Sequence, residues 1–370
     1  MATATKRGKT WTYIVSRYVD GKYDPIRKGG FRTKPEALAA AVEIEAKLNK
    51  GVEVQTKSIP FINYFEDWIR LYKVNKHQNT VQRYYDSLNI VKKYFRDKPI
   101  QKITRHEYQA MLNDYATNHA KETVRKLNTH VRACVKDAIE SGYISIDFTA
   151  KVEIHGSIPA KTDSEKYIDY DEAKKLYKEL FKRLNLKQLT YYEILLAQAS
   201  GARFAEISGL TDDDFDFENN MISINKTWDY KTGKGFGPTK NDKSNRNITV
   251  DPRVMGAFKE LLNVLPKRPH NLVFFSAQSK YGVITNNSVN KALVKVLTEL
   301  EIEPITIHGL RHTHASILLF KGISVYYVSE RLGHGEIQTT LNTYTHILKE
   351  LRLKEEKKAV EVFEEMFSEV

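Results

Sequence analysis

The sequence predicts a multidomain α+β protein. A small N-terminal β-sheet with one helix precedes a helical bundle, and a mainly α domain with a small antiparallel sheet follows. Three observations carry this. At 370 residues the chain can form two or three cores. Strand-type residues, β-branched and aromatic, gather before residue 32 and again between 214 and 250. Elsewhere the apolar residues recur at helical spacing.

Residues 9–19, from Lys9-Thr10-Trp11 to Tyr18-Val19, are strand-like, and Asp20-Gly21 is a hairpin signal. A second strand is expected to run towards Phe31. Thr33-Lys34-Pro35-Glu36 has the spacing of a capping box, and an Ala-rich helix follows to about Asn49, stopped by Gly51. Residues 1–57 are therefore assigned to one small domain.

From Phe61 the period is helical. Phe61, Phe65, Trp68, Leu71 and Tyr72 share a face, and Asn79 can cap a second helix with Val81, Tyr84, Leu88, Val91 and Phe95 inward. Thr104-Arg105-His106-Glu107 opens a third helix, and Val124, Leu127, Val131, Val135 and Ile139 line a fourth that Gly142 ends. This gives a bundle over 58–154. Turn formers from His155 to Ser164 mark a linker at 155–166. Beyond it Asp169 caps a helix, an apolar helix starts at Thr190, and Ile222-Ser223-Ile224 and Asn247–Val250 are the clearest strands. The main domain is placed at 167–348. Over 349–370 Ala359, Phe363, Met366, Phe367 and Val370 make an apolar stripe on a polar helix. That stripe packs either on its own domain or on a neighbouring protomer.

Charge narrows the partners. Fifty-eight Lys+Arg against 46 Asp+Glu give +12, which favours a polyanion. Residues 1–34 hold nine basic and two acidic residues, +7 in that stretch alone. Among them Lys6, Arg7, Lys9, Arg17, Lys28 and Arg32 are candidates for phosphate contact from a sheet. The one cysteine, Cys134, excludes an internal disulfide and a cysteine-built zinc site, and its apolar helical setting makes it a core thiol. No apolar run is long enough to span a bilayer and no signal-peptide core is present, so a soluble cytoplasmic protein is expected.

A polar, basic set inside the apolar pattern of 308–344 marks a site for an anion. His308 and Arg311 lie three apart and share a helix face. Arg presents a planar fork to phosphate oxygens, His can donate or accept, and Tyr344 has a hydroxyl able to attack phosphorus. Upstream, Gly201-Ala202-Arg203-Phe204-Ala205-Glu206 interrupts an apolar helix, and Pro238-Thr239-Lys240 precedes a turn. The order is Arg203, Lys240, His308, Arg311, His334 of Leu332-Gly333-His334, and Tyr344 ten residues later.

In this order the sequence resembles the tyrosine recombinases, or phage-type integrases: a Gly-x-Arg-x-x-Glu box, a hairpin Lys, His-x-x-Arg, Leu-Gly-His and a Tyr. The match is strong from about 165 to 350 and one of layout before that. It implies that Arg203 and Arg311 clamp a scissile phosphate and that His308 and His334 donate to it, with His308 also able to accept the Tyr344 proton. It implies Tyr344 as nucleophile forming a 3′-phosphotyrosine, Lys240 as acid for the leaving 5′-oxygen, and Glu206 orienting its neighbours. No cofactor is implied, because the phosphotyrosine conserves the bond energy. Nothing resembles a nucleotide-binding loop or a two-metal carboxylate cluster, so no metal is expected. The resemblance further implies double-stranded DNA with core and arm sites, a homotetramer at the synapse, and a directionality protein and DNA-bending host protein as accessories. His312, His314 and His346 fall outside the pattern and are taken as packing residues, Arg331 and Lys243 as solvated or phosphate-facing. Tyr326 and Tyr327, the rivals of Tyr344, fall where the family has helix core. A type IB-like topoisomerase shares this chemistry, and a non-catalytic DNA-binding regulator shares the fold. Integration and excision of a mobile element is the leading expectation.

Overall fold

The computed structural model describes residues 2–19, 21–49, 58–76, 78–159 and 166–345, with 360, 361, 363 and 364. The chain divides into two compact units, Met1–Ala160 and Lys161–Val370.

The first unit contains two hydrophobic cores. β1 (Ala2–Arg7), β2 (Thr10–Val15) and β5 (Ile26–Phe31) form an antiparallel sheet in the order β1-β2-β5, and β3 (Tyr18–Val19) pairs with β4 (Lys22–Tyr23) in a separate small hairpin. The expected strand over 9–19 is thus broken after Val15, and a strand precedes it that the sequence pattern does not announce. The Ala-Thr alternation of β1 offers no large apolar residue; pairing with β2 and half-burial of Ala2 and Ala4 hold it instead. α1 (Lys34–Asn49) covers the sheet with Ala37 and Ala41 against Tyr13, Val15 and Ile26. The expected cap is present: Glu36 N donates to Thr33 Oγ1 at 3.3 Å, and Thr33 N donates back to the Glu36 carboxylate at 3.3 Å.

The second core lies among α2 (Phe61–Tyr72), α3 (Gln78–Phe95), α4 (Arg105–Ala116) and α5 (Lys121–Glu140). Phe61, Phe65 and Trp68 are buried, but Leu71 and Tyr72 are exposed, because they fall in the last turn of α2, where the helix gives way to Lys73. Asn79 lies inside α3 rather than capping it. Cys134 is fully buried in α5, and burial raises its thiol pKa, which keeps it protonated.

The second unit is mainly helical. α6 (Tyr170–Arg183), capped by Asp169, and α7 (Thr190–Ser200) lead to the short α8 (Phe204–Ser208). β6 (Phe215–Asp216), β7 (Met221–Ile224) and β10 (Arg246–Thr249) make an antiparallel sheet in the order β10-β7-β6, and β8 (Thr227–Trp228) with β9 (Phe236–Gly237) makes a second hairpin. α9 (Pro252–Val264), α10 (Asn286–Glu299), α11 (Ile307–Phe320), α12 (Val325–Leu332) and α13 (Ile337–Thr343) follow. α7 is buried nearly all round, so it acts as the hub of this core. The C-terminal helix expected over 349–370 lies outside the described residues but for the four named above, of which Val360 and Phe363 are exposed.

Candidate functional site

α7 ends at Gly201, whose φ of +66° is the left-handed cap that only Gly adopts without strain. An added Cβ there would also lie 2.7 Å from the His314 ring. The reversal makes Arg203 the N-cap of α8. Its guanidinium donates to Glu206 Oε1 at 2.6 Å and to the Gly333 carbonyl at 3.1 Å.

Arg311 projects from α11 and is only 4% exposed. It donates to the carbonyls of Gly201 and Leu332, both at 2.8 Å. Leu332 ends α12, and Gly333, at φ +66°, caps it. The consecutive carbonyls of Leu332 and Gly333 therefore hold two different arginines side by side. Burial and the Arg203 charge push Arg311 down to about 9, so it stays protonated at neutral pH.

The histidines differ in setting. The His308 side chain is exposed, and desolvation, then the Arg311 and Arg203 charges, lower its pKa. His334 shares a hydrogen bond between Nδ1 and Thr340 Oγ1 at 2.7 Å. Burial, followed by the neighbouring arginines, pushes it down to about 4, so it is neutral at pH 7. Tyr344, just past α13, is 2% exposed, and its hydroxyl lies 3.0 Å from His312 Nδ1. Burial raises its pKa although Arg311 pulls the other way. Lys240 is exposed three residues beyond β9, outside the β8–β9 turn, and no hydrogen bond or ion pair joins it to the other five.

Three residues outside the sequence motif belong to this cluster. Arg246, with its side chain 5% exposed, donates to Glu206 Oε2 at 3.0 Å and to the Arg331 carbonyl at 2.6 Å. Burial favours a neutral Glu206, but Arg246 and then Arg203 outweigh it and hold the carboxyl below its usual pKa. A signal existed: strand alternation puts Arg246 on the same side of β10 as buried Ile248. Ser244, fully buried, donates to the Gly333 carbonyl at 3.3 Å. His312 carried the signal of standing four residues from His308 on one helix.

Other expectations change. Arg331 is half-buried and already engaged: it donates to His314 Nε2 at 2.9 Å and to the carbonyls of Thr249 and Ala199 at 3.0 and 3.2 Å. His314 is buried and bridges to the Gln198 carbonyl at 2.9 Å, consistent with a packing role, and burial pushes it down to about 3. Tyr326 and Tyr327 are exposed rather than core, because amphipathic α12 buries only Val328, Ser329 and Leu332. With exposed Lys243 they line a cavity of about 690 Å³ that also touches Arg331 and His334. His346 lies outside the described residues. In the N-terminal sheet, Lys6, Arg7, Lys9, Lys28 and Arg32 are exposed, whereas Arg17 is tied to Asp24 at 2.5 Å. Among the described residues no group of three or more His, Cys, Asp or Glu could hold a metal ion, and no helix is long and apolar enough to cross a membrane.

Residues 166–350 match the phage integrase family, residues 3–48 an arm DNA-binding domain, and residues 60–154 a phage integrase SAM-like domain. A tyrosine recombinase XerC-like protein of Caldanaerobacter subterraneus subsp. tengcongensis is 26% identical, over 98% of each chain. The integrase of Staphylococcus phage L54a is 25% identical over 85% of this chain and 97% of its own. In fold, the chain is similar to the Tn1549 transposon integrase solved with transposon right end DNA, with a TM-score of 0.67 at 19% identity over 81% of this chain and all of that one. The chain belongs to the phage integrase family and is a tyrosine-type site-specific recombinase of mobile elements.

Proposed function

We propose that this recombinase cuts one DNA strand at a time through Tyr344, forming a 3′-phosphotyrosine and a free 5′-hydroxyl, and reseals it to a partner strand to integrate or excise its element. The observation that carries the reading is the pair of arginines on consecutive carbonyls. Arg311 on Leu332 and Arg203 on Gly333 are fixed before any substrate arrives, so no reorganisation is needed when charge grows on the phosphate. Neutral His334 and His308 can donate to the same oxygens, and Glu206 holds Arg203 in place. Lys240, exposed on a loop, is free to swing to the leaving oxygen as general acid. The phosphate's charge is met by guanidinium groups, so the reaction proceeds without metal or nucleotide.

Double-stranded DNA is the partner in this reading. The catalytic domain (167–348) and helical bundle (58–154) hold the core site, the exposed basic residues of the N-terminal sheet bind arm sites, and four protomers meet at the synapse. Such a protein works in the cytoplasm, where its DNA is.

The test mixes purified protein, in chelator, with nicked duplexes from the flanks of its own gene, where a cleaved strand cannot be resealed. A denaturant-stable protein–DNA adduct is expected with wild type and none with Tyr344→Phe, which keeps its DNA affinity. An adduct with the Phe variant overturns the choice of nucleophile.

A further inference from the structure

The hydroxyl of Tyr344 is held by a histidine that the six-residue pattern omits. His312 Nδ1 lies 3.0 Å from Tyr344 Oη, within direct proton-transfer distance, whereas no hydrogen bond joins His308 to Tyr344. The two imidazoles meet edge to face, with centroids 4.9 Å apart, and His308 is the more exposed of the two. Tyr344 is 2% exposed, so bulk water is poorly placed to take its proton. A buried phenol that must lose its proton on attack needs an acceptor within the protein, and among the described residues His312 is the one hydrogen-bonded to it.

We infer that His312, rather than His308, is the general base for Tyr344 in strand cleavage and its general acid in resealing. This rests on Tyr344 being the nucleophile, as proposed above. In cleavage the Tyr344 oxygen forms a bond to phosphorus while its proton passes to Nδ1 of a neutral His312 carrying hydrogen on Nε2. The bond from phosphorus to the 5′-oxygen breaks, and that oxygen takes a proton from Lys240. Resealing reverses both transfers. His308 is left to donate to the phosphate. Among the described residues the charged and titratable groups around the pair are His308 and Arg311 on α11, His334 after α12, Arg203 capping α8 and Tyr167 ahead of α6.

The test is the single-turnover rate of adduct formation by the full chain on nicked duplexes tiled across the DNA flanking its gene. Each duplex is made with an ordinary phosphate or with sulfur replacing the 5′-bridging oxygen, a leaving group that needs no acid. His312→Asn keeps an acceptor near the Nδ1 position but cannot take a proton. It is expected to cleave roughly 100-fold more slowly or worse, with wild-type DNA affinity and melting temperature, and the sulfur substrate should not restore it. Lys240→Met should be restored by that substrate. If Asn disturbs the melting temperature, His312→Gln carries the same comparison. Cleavage by His312→Asn at near the wild-type rate, or its recovery on the sulfur substrate, overturns the assignment. Loss of the underlying reading is a different result: no adduct with wild type, or one that survives Tyr344→Phe.

Discussion

Glu206 and Arg246 form an ion pair at 3.0 Å with side chains 1% and 5% exposed, and the other carboxylate oxygen holds Arg203. One buried acid thus organises two arginines from different elements, α8 and β10.

Glu206→Gln should leave Arg246 buried without a counter-charge. Removing one partner of such a pair costs about 3–5 kcal/mol. At about 2–4 °C per kcal/mol for a unit of this size, the lower figure is a fall of roughly 6–12 °C in Tm. Because the folded Glu206 pKa lies below the unfolded one, its stabilisation is present above the unfolded value and is lost as pH falls through the folded value. The gap in Tm between wild type and variant should therefore be full at pH 7 and narrow below about pH 4. Thermal melts across pH 3–8 check this, and a constant gap would count against it.

Gly333→Ala forces a Cβ into a φ of +66°, 2.8 Å from Arg246 Nη1 and 3.0 Å from the Ser244 Cα. The backbone conformation alone costs about 1–2 kcal/mol. Relief of the clash should shift the carbonyl that holds Arg203. A tenfold or larger loss of adduct formation is expected (about 1.4 kcal/mol), with DNA affinity much less affected.

Glu193 is fully buried on α7, where one oxygen accepts from Ser208 and the other has no hydrogen-bond partner. Burial raises its pKa, with the Ser208 bond opposing. A carboxyl whose folded pKa is raised imposes no penalty below its unfolded value and an increasing one as pH rises above it. Glu193→Gln should therefore match wild type near pH 4 and melt higher at pH 8, by roughly 2–4 °C for each kcal/mol gained. Equal melting at both pH values would contradict the buried-acid account.

Replacing Lys6, Arg7 and Lys28 with Ala should weaken binding to arm-bearing duplexes and flatten the salt dependence by about 0.9 for each phosphate no longer neutralised. Arg17→Ala should change that slope little, since Asp24 already holds the guanidinium. Anisotropy titrations at several salt concentrations separate the two. A larger slope change for Arg17 than for the triple variant would reverse the assignment of the binding face.

What the sequence determined by itself was local. Capping boxes at Thr33, Thr104 and Asp169 opened helices where their side-chain spacing required, and period separated the bundle from the two sheets. The site motif was legible because its residues stand at fixed spacing within single helices or just past them: Arg203 three from Glu206, His308 three from Arg311. Tertiary structure decided what those motifs touch. Arg203 reaches the Gly333 carbonyl 130 residues away, and Arg246 joins Glu206 across 40. Whether Arg331 is solvated or tied to His314 depends on what α11 and α12 place beside it. β1 lacked a sequence signal because small side chains carry little pattern, and only pairing with β2 makes a strand of them. His312 stood in plain view beside Arg311, but its hydrogen bond with Tyr344 arises only when the chain past α13 folds back onto α11. Side-chain spacing along one element is set by its helix or strand period, whereas the meeting of separate elements is set by packing, which no short stretch of sequence contains.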